Sequence, residues 1–145
     1  MRIILQRVTE ASVEIGGQPH ARIGRGLLLL VGFRPEDGPG CLDAAAERLL
    51  RYRVFPDAQG KINRSLLDVD GELLLVPNFS LYADTRSGLR PSFSAAAPPA
   101  QAAPLFDAFL AALRARHPHV QAGVFGADMQ VRLCNDGPLT LELRF

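Results

Sequence analysis

The chain has 145 residues, enough for one globular domain and few for two. Hydrophobic residues make up 48% and charged residues 21%, which excludes a disordered tail or linker, since such segments are poor in apolar residues. The net charge of +1 produces no bulk field that would attract nucleic acid or a membrane surface. Lys61 is the only lysine among 16 cationic residues, and arginine forms forked contacts to phosphate, so a local RNA-binding patch remains open.

Cysteine usage and the N-terminus predict a cytoplasmic location. Cys41 and Cys134 show no CxxC spacing and cannot build a disulfide framework, which favours two thiols in a reducing compartment. Charge appears within the first seven residues, so the start does not resemble a signal peptide. The longest apolar run, residues 27–31, is far too short to span a membrane. We therefore expect no membrane partner.

The first part of the chain predicts strands. Apolar and polar residues alternate over residues 3–15 with a change of phase, which is typical of a long half-buried strand. Gly16-Gly17 predicts a hairpin turn into a returning strand that ends at Ile23. The continuous apolar run over residues 26–33 predicts a central strand that is covered on both faces.

The remainder predicts two helices among further strands. A breaker at residues 38–40 precedes a helix over 42–53, and a second helix is predicted over 99–117. Residues 83–99 are rich in Pro, Ser, Gly and Ala, which predicts a long ordered loop of functional importance. The other predicted elements are a turn at 56–60, a turn at 70–71 and strands at 72–79, 120–124, 128–134 and 139–145. This order predicts a mixed, mainly antiparallel α/β domain over residues 1–145.

Motifs of the common enzyme classes are absent. The chain has no GxxxxGK[ST] loop, no HExxH, no GxSxG and no paired Cys/His spacing, so no metal or cofactor is predicted. His117 and His119 stand two residues apart at a helix end, and with His20 they are interpreted as solvated surface side chains. An enzyme with this sequence would have few acids, bases or nucleophiles.

Two segments stand out as candidate sites. In residues 77–84 an apolar strand breaks off into polar residues at the start of the long loop, a common place for a functional site. Residues 135–140, Asn-Asp-Gly-Pro-Leu-Thr, combine turn residues with a Gly-Pro bond that can be cis. Taken alone, each segment is better explained as an ordinary strand-end turn or hairpin loop.

Four segments together resemble the D-aminoacyl-tRNA deacylases. They are Gln6-Arg7-Val8, Arg90-Pro91-Ser92-Phe93-Ser94, Gly126-Ala127-Asp128-Met129-Gln130-Val131 and Asn135-Asp136-Gly137-Pro138-Leu139-Thr140. The resemblance covers the whole chain, and its most specific part runs from Ala127 to Thr140.

This resemblance implies a single α+β domain with a barrel-like sheet that forms a homodimer. The family hydrolyses the ester between a D-amino acid and the 3′ end of tRNA, and it also removes glycine from tRNA that should carry alanine. By resemblance, Gly137 and Pro138 form a cis dipeptide that enters the partner subunit's pocket and excludes L-amino acids. The 2′-OH of the terminal adenosine is expected to assist the attack, without a cofactor, which agrees with the few catalytic groups in the chain.

The chain departs from the family pattern at one place. Bacterial members usually read Ser-Gln-Phe-Thr where this chain has Pro77-Asn78-Phe79-Ser80. Ser80 keeps the hydroxyl of a threonine once proposed as nucleophile and is the candidate catalytic residue. Asn78 is one methylene shorter than glutamine, and Pro77 lacks both a hydroxyl and a backbone N–H donor. A related animal deacylase acting on L-alanyl-tRNA also has proline at this position.

The resemblance assigns the remaining substrate-binding positions. Phe79, Ala102, Phe125 and Met129 are expected to line the pocket for the terminal adenosine and the amino acid, and core packing is the alternative for each. Arg7 is expected to brace the Gly-Pro loop, with an exposed ion pair as its alternative. Two other functions stay open, an inactive dimeric RNA- or ligand-binding module and a deacylase shifted to L-alanyl-tRNA.

Overall fold

A six-stranded sheet carries the fold, and two helices cover one of its faces. The computed structural model describes all 145 residues. The elements are β1 (Arg2–Ile15), β2 (Gln18–Ile23), β3 (Gly26–Gly32), α1 (Leu42–Leu50), β4 (Phe55–Pro56), β5 (Ile62–Arg64), β6 (Glu72–Pro77), α2 (Pro99–Arg114), β7 (Val120–Ala122) and β8 (Met129–Arg144). No helix is both long and apolar enough to cross a membrane.

The sheet is mixed and mainly antiparallel, as predicted. Its strand order is β2-β1-β3-β6-β7, and β8 pairs with the other edge of β1. Only the β3–β6 and β6–β7 pairs are parallel. Because β2 also contacts β6 and β7, the sheet curls towards a barrel. The β4–β5 hairpin, which the sequence did not predict, forms a separate small sheet around the expected turn at 56–60.

The predicted change of phase in β1 has a clear structural cause. Ile3 and Leu5 face the core between sheet and helices, whereas Val8, Ala11 and Val13 face a second core on the opposite side. The pairing register of β1 with β8 shifts between Val8 and Glu10, which marks a bulge. An extra residue in a strand reverses which side chains point inwards, so one strand contributes to both cores.

Strand β3 is covered on both faces, as its continuous apolar run predicted. Leu27 and Leu29 join the core beneath the helices, and Leu28 joins the second core. The first of these cores receives one apolar face from each helix. Its helical members are Leu42, Ala45, Ala46, Leu49 and Leu50 from α1, and Ala102, Leu105, Phe106, Phe109 and Leu113 from α2.

Both helices end earlier than predicted. Helix α1 stops at Leu50 because the N–H groups of Arg51 and Tyr52 bond carbonyls only three residues back, and the chain then extends to bury Phe55. Helix α2 stops at Arg114. The interpretation of His117 as a surface side chain is therefore wrong, since it is 4% exposed and its Nε2 lies 2.7 Å from the carbonyl oxygen of Gly71. An imidazole that bonds a buried carbonyl is a stable way to bury a polar ring.

The end of the chain is one strand and not two. Both predicted strands, 128–134 and 139–145, belong to β8 and pair antiparallel with β1. Asn135 pairs with Val8 and Thr140 pairs with Gln6, so four residues of β8 bulge outwards opposite Arg7. The hairpin interpretation of residues 135–140 is wrong because the two flanking segments pair with the same neighbour and not with each other.

Candidate active site

The segment after β6 forms a tight turn capped by Asn78. Strand β6 ends at Pro77, and the next residues form a 3-10 turn over Phe79–Tyr82. The Asn78 Oδ1 atom accepts hydrogen bonds from the Ser80 backbone N–H at 3.0 Å and from the Ser80 hydroxyl at 2.5 Å. An asparagine at this position satisfies the first free N–H of such a turn. Asn78 thus orients Ser80.

Two contacts hold this turn against the end of β3. The Asn78 N–H donates to the carbonyl oxygen of Val31 at 2.7 Å. A Cβ atom built on Gly32 would lie only 2.8 Å from the Asn78 carbonyl oxygen, so a side chain there would displace the turn. Gly32 therefore permits a backbone approach that any other residue would block.

Arg2 ties the far side of the turn to the sheet. Its Nη1 donates to the Leu81 carbonyl oxygen at 2.5 Å, and its guanidinium lies 4.8 Å from the centre of the Tyr82 ring. The same side chain pairs with Glu142 of β8 at 3.0 Å. Burial, and then the charge of Asp37, raise the pKa of the Tyr82 phenol, and the charges of Arg34 and Arg2 offset part of that rise.

An exposed aromatic pair follows the turn. Phe79 is 58% exposed, and its ring meets Phe93 edge to face, with centroids 4.9 Å apart. Phe93 is placed by the long loop, whose two arms are joined where Asp84 and Ser92 exchange backbone hydrogen bonds. The side-chain hydrogen bond from Arg86 holds the pKa of the Asp84 carboxyl well below its usual range. A large exposed aromatic surface beside a polar turn is a suitable platform for a nucleobase.

Met129 lies beside Pro77 at this end of the sheet. A Cβ atom built on Gly123 would lie 2.6 Å from the Met129 sulfur and 3.7 Å from Pro77 Cδ, so the absence of a side chain at 123 makes room for both. Successive residues of a strand direct their backbone nitrogens to opposite neighbouring strands. The Asn78 N–H faces β3, so the nitrogen of Pro77 faces the other neighbour, β7, which ends at Ala122. Proline is accepted there because the ladder has already ended on that side.

Two of the predicted pocket residues contact the core beneath the helices, Ala102 as a member and Phe125 as a partly buried neighbour. Ala102 is 5% exposed on α2 and presents no accessible side chain in a single chain. Phe125 is half-buried and stands 6.4 Å from Phe106, one helical turn after Ala102. The structure therefore brings Pro77, Asn78, Phe79, Ser80 and Met129 to one end of the sheet. It packs Ala102 in the core and Phe125 against it, and the pocket roles of these two residues stay predictions.

The Gly137-Pro138 bond is cis, as predicted, and the loop around it is closed by its own residues. Asn135 accepts a hydrogen bond from the Leu139 N–H at 2.8 Å through Oδ1 and donates to the Thr140 hydroxyl at 2.9 Å through Nδ2. Gly137 has φ of 128°, which side chains of L-residues rarely allow. Gly137 and Pro138 themselves are exposed.

Arg7 connects this loop to the body of the protein. Its Nε lies 2.9 Å from the Asp136 carboxylate and 3.2 Å from the Asp136 carbonyl oxygen, while Nη1 donates to the Val54 carbonyl oxygen at 2.6 Å. Arg7 is only 8% exposed, so the alternative of a surface ion pair does not hold. A buried guanidinium with several acceptors fixes the loop far more firmly than an exposed pair.

Within one chain the loop and the turn lie at different places along β3. Arg7, opposite the loop, pairs with Leu27, whereas Asn78 bonds to Val31. Four residues of strand separate these levels by about 13 Å. No hydrogen bond or ion pair joins residues 135–140 to residues 77–82.

The Ser80 hydroxyl has no base beside it. Its proton points to the Asn78 amide oxygen, which cannot accept it as a base would, and no histidine or carboxylate bonds to it. Serine becomes a nucleophile only when a neighbouring base removes its proton. The site therefore offers an ordered polar turn, an aromatic platform and a rigid loop, without a protein nucleophile activated in the usual way.

Comparison with known proteins decides the family. The model of the family described as D-Tyr-tRNA(Tyr) deacylase matches residues 4–144. The chain belongs to the D-Tyr-tRNA(Tyr) deacylase family. The D-aminoacyl-tRNA deacylases of Pseudomonas paraeruginosa and Teredinibacter turnerae are 58% and 54% identical to it over 143 residues, 99% of each chain. The resemblance drawn from the sequence, and with it the assignment as a deacylase enzyme, is confirmed.

Two solved structures share the fold of this chain. A protein described as c-Myc DNA unwinding element binding protein is 40% identical, with a TM-score of 0.93 over 100% of this chain and 99% of the other. A probable eukaryotic D-amino acid tRNA deacylase shares the fold of the D-Tyr-tRNA(Tyr) deacylase family at 21% identity and a TM-score of 0.85, covering 98% and 97% of the two chains.

Proposed function

We propose that the chain hydrolyses the ester of D-aminoacyl-tRNA and of glycyl-tRNA mischarged on tRNA for alanine. The observation that carries this proposal is the 135–140 loop, where Asn135 and Arg7 hold a glycine backbone rigidly at the surface. High identity to relatives named D-aminoacyl-tRNA deacylase over 99% of both chains supports the same activity. The products are the free amino acid and a tRNA with a free 3′-OH.

The proposed active unit is a homodimer. Within one chain the Gly137-Pro138 loop and the Asn78–Ser80 turn lie about 13 Å apart along β3, too far to form one site. In a dimer the loop of one subunit would meet the turn of the other. The outer edge of β8 supports this arrangement, since no strand of the chain pairs with it and it carries the exposed Leu133 and Leu141. A long unpaired edge with apolar side chains favours pairing with another chain.

Selection against L-amino acids would come from backbone and not from side chains. Gly137 has no Cβ, so its main chain can stand directly beside the α-carbon of the substrate. Backbone atoms held through Asp136 and Leu139 cannot swing aside, and an L side chain would meet both a clash and unsatisfied polar atoms. A D side chain points away from this wall. Glycine has no side chain, which accounts for the second substrate.

The chemistry would rely on the RNA. The 2′-OH next to the ester is proposed to assist water in its attack on the carbonyl carbon, and the 3′-oxygen leaves as the ester bond breaks. Phe79 and Phe93 would support the terminal adenine, and Met129 would line the pocket beside Pro77. Substrate-assisted attack fits a Ser80 hydroxyl whose only side-chain partner is an amide.

Replacement of Ser80 by alanine is expected to keep activity within about tenfold of wild type, because no base activates the hydroxyl. The turn stays capped, since Asn78 still accepts the backbone N–H of residue 80. Deacylation of D-Tyr-tRNA under single-turnover conditions gives the measurement. A loss of about a thousandfold or more, typical when a covalent nucleophile is removed, would contradict the RNA-assisted mechanism.

Binding of uncharged tRNA is expected to weaken steeply with salt in spite of the net charge of +1. Each phosphate that an arginine neutralises contributes a slope of about −0.7 to −0.9 in a plot of log K against log salt, and we expect a total steeper than about −2. Filter binding at several salt concentrations provides the slope. A slope near zero would show that the RNA phosphates are not contacted.

Mixed dimers test the shared site. Homodimers of Gly137→Ala and of Phe79→Ala are both expected to be impaired. A mixture that exchanges subunits should regain up to about a quarter of wild-type activity, because half of the dimers then contain one intact site of two. Activity equal to the mean of the two variants would place both residues of a site in one chain.

A substrate panel separates the deacylase from its alternatives. We expect cleavage of D-Tyr-tRNA and Gly-tRNA and little cleavage of L-Ala-tRNA. Preferential cleavage of L-Ala-tRNA would indicate a deacylase shifted to L-alanyl-tRNA, with Pro77 as the residue to test next. Cleavage of none of the three substrates would indicate a binding module of the same fold.

A further inference from the structure

The outer face of α1 carries a basic groove that the proposed active site does not use. The groove is lined by Ala44, Glu47, Arg48, Arg51, Tyr52 and Arg53. Tyr52 is half-buried and the other five residues are exposed. Three guanidinium groups therefore face one shallow depression in a protein whose net charge is +1.

Two of these guanidinium groups have no carboxylate partner. Arg51 forms an ion pair with Glu47, with 3.5 Å between Nε and Oε1, but no ion pair involves Arg48 or Arg53. The other carboxylate of α1, Asp43, is engaged by Arg116 at 2.9 Å. The groove thus keeps a local excess of positive charge, and charge of this kind attracts an anionic partner.

The two unpaired arginines are held in place by other contacts. The Arg48 guanidinium lies 5.6 Å from the ring centre of Tyr52 and 6.0 Å from that of Phe145. Arg53 donates through Nε to the Asn63 carbonyl oxygen at 2.8 Å, which leaves its two Nη groups without a protein acceptor. Side chains ordered in advance lose less entropy when they bind, so both are suited to fork onto a phosphate.

The last residue of the groove, Arg53, directly precedes a residue that helps to anchor the Gly137-Pro138 loop. Arg53 is followed by Val54, whose carbonyl oxygen accepts the Arg7 Nη1 at 2.6 Å. Arg7 in turn holds Asp136 in the loop. An RNA strand whose 3′ end meets this loop would therefore continue past Arg53 and along α1.

We propose that this groove binds phosphates of the acceptor arm of the tRNA substrate. The proposal rests on the proposed function, because that function places the aminoacyl end at the loop beside the groove. Arg48 and Arg53 are assigned as phosphate contacts, and Tyr52 as the aromatic support of Arg48. Contacts of this kind add affinity for tRNA without taking part in the cleavage of the ester.

The double variant Arg48→Gln/Arg53→Gln tests the groove with two substrates. For D-Tyr-tRNA at low salt we expect KM to rise about tenfold or more with kcat unchanged, and the salt slope of tRNA binding to fall by about 1.5 to 2. D-tyrosyl-adenosine has no acceptor stem, and its hydrolysis should stay within about twofold of wild type.

A matched control removes the same charge elsewhere. Arg22→Gln/Arg114→Gln affects two exposed arginines, one on β2 paired with Glu10 and one at the end of α2, which line neither the groove nor the proposed active site. We expect this variant to keep the wild-type KM and most of the salt slope. An equal rise in KM in both double variants would show a general charge effect and overturn the proposal.

Binding of uncharged tRNA keeps the two proposals distinguishable. If the wild-type protein cleaved neither substrate, the proposed function would fail, and the salt slopes of the two double variants would still decide the groove. Unchanged tRNA binding by the Arg48→Gln/Arg53→Gln variant would overturn the groove proposal. Polyglutamate serves as a probe for an acidic protein partner: if the variant lost binding to polyglutamate but kept its binding to tRNA, the groove would belong to such a partner, and the proposal would also be overturned.

Discussion

Replacement of Gly137 by alanine is expected to lower kcat/KM for D-Tyr-tRNA by about a hundredfold, the scale of a misplacement near 1 Å in a catalytic site. A Cβ atom at this position would lie 3.0 Å from both Arg7 Nη2 and the Leu139 backbone nitrogen, and φ of 128° is strained for any L-residue. The loop must then shift away from its braces. Single-turnover deacylation measures the effect, and circular dichroism should show a folded protein.

Gly17→Ala is the matched control for that experiment. Gly17 also has a positive φ, 76°, but a Cβ atom there would meet nothing within 4 Å, and the residue lies in the β1–β2 turn. The variant should lose some stability and keep its activity. Equal activity losses in the two variants would mean that backbone strain, and not the position of the loop, explains the result.

Replacement of Arg7 by glutamine is expected to cost about 1.5–3 kcal/mol of unfolding free energy, the range for hydrogen bonds to a charged group. The buried carbonyl of Val54 and the Asp136 carboxylate lose their common donor. At about 2–4 °C per kcal/mol, the melting temperature should fall by roughly 3–12 °C. The kcat/KM for deacylation by Arg7→Gln should fall about a hundredfold, as much as in Gly137→Ala, because the loop loses its anchor.

The exposed Arg22 provides the comparison for Arg7. It forms an ion pair of 2.9 Å with Glu10, the same length as the pair of Arg7 with Asp136. Arg22→Gln should change the unfolding free energy by less than about 0.5 kcal/mol, because solvent screens the pair. If Arg7→Gln proved equally mild while activity stayed intact, Arg7 would have no part in positioning the loop.

Much of the fold could be predicted because the pattern of apolar residues follows from burial. The unbroken apolar run of β3 required two covered faces, and the alternation in β1 predicted one long strand with a change of phase. That the change of phase turns the strand from one core to a second was visible only in the structure. The end of β8 could not be predicted in this way. Asn-Asp-Gly-Pro is a turn sequence, and nothing local shows that the strands on either side share β1 as their partner.

The residues of the candidate site also fall into two groups, those that the sequence motif named and those that only the structure revealed. The family motif named Gly137, Pro138 and Arg7, and the structure places Arg7 in contact with the loop that holds the other two, while their role towards a substrate stays a prediction. Gly32, Gly123 and Arg2 were missed, since each acts by what approaches it in space. Gly123 lies inside the predicted strand 120–124, and a glycine within a strand, which can mark a close approach of another group, was the only signal available for it.

The way the Gly137-Pro138 loop is inserted into β8 restricts how its length can change. Asn135 and Thr140 are both paired with β1, so the loop has two fixed ends on one strand. A residue added or removed between them could be absorbed by a slip of one flanking segment, but a slip of one residue turns Leu139 and Leu143, which pack against the core beneath the helices, to the wrong face. Insertions and deletions here should therefore be far less tolerated than in the 84–92 hairpin, where a change in length moves only an exposed tip.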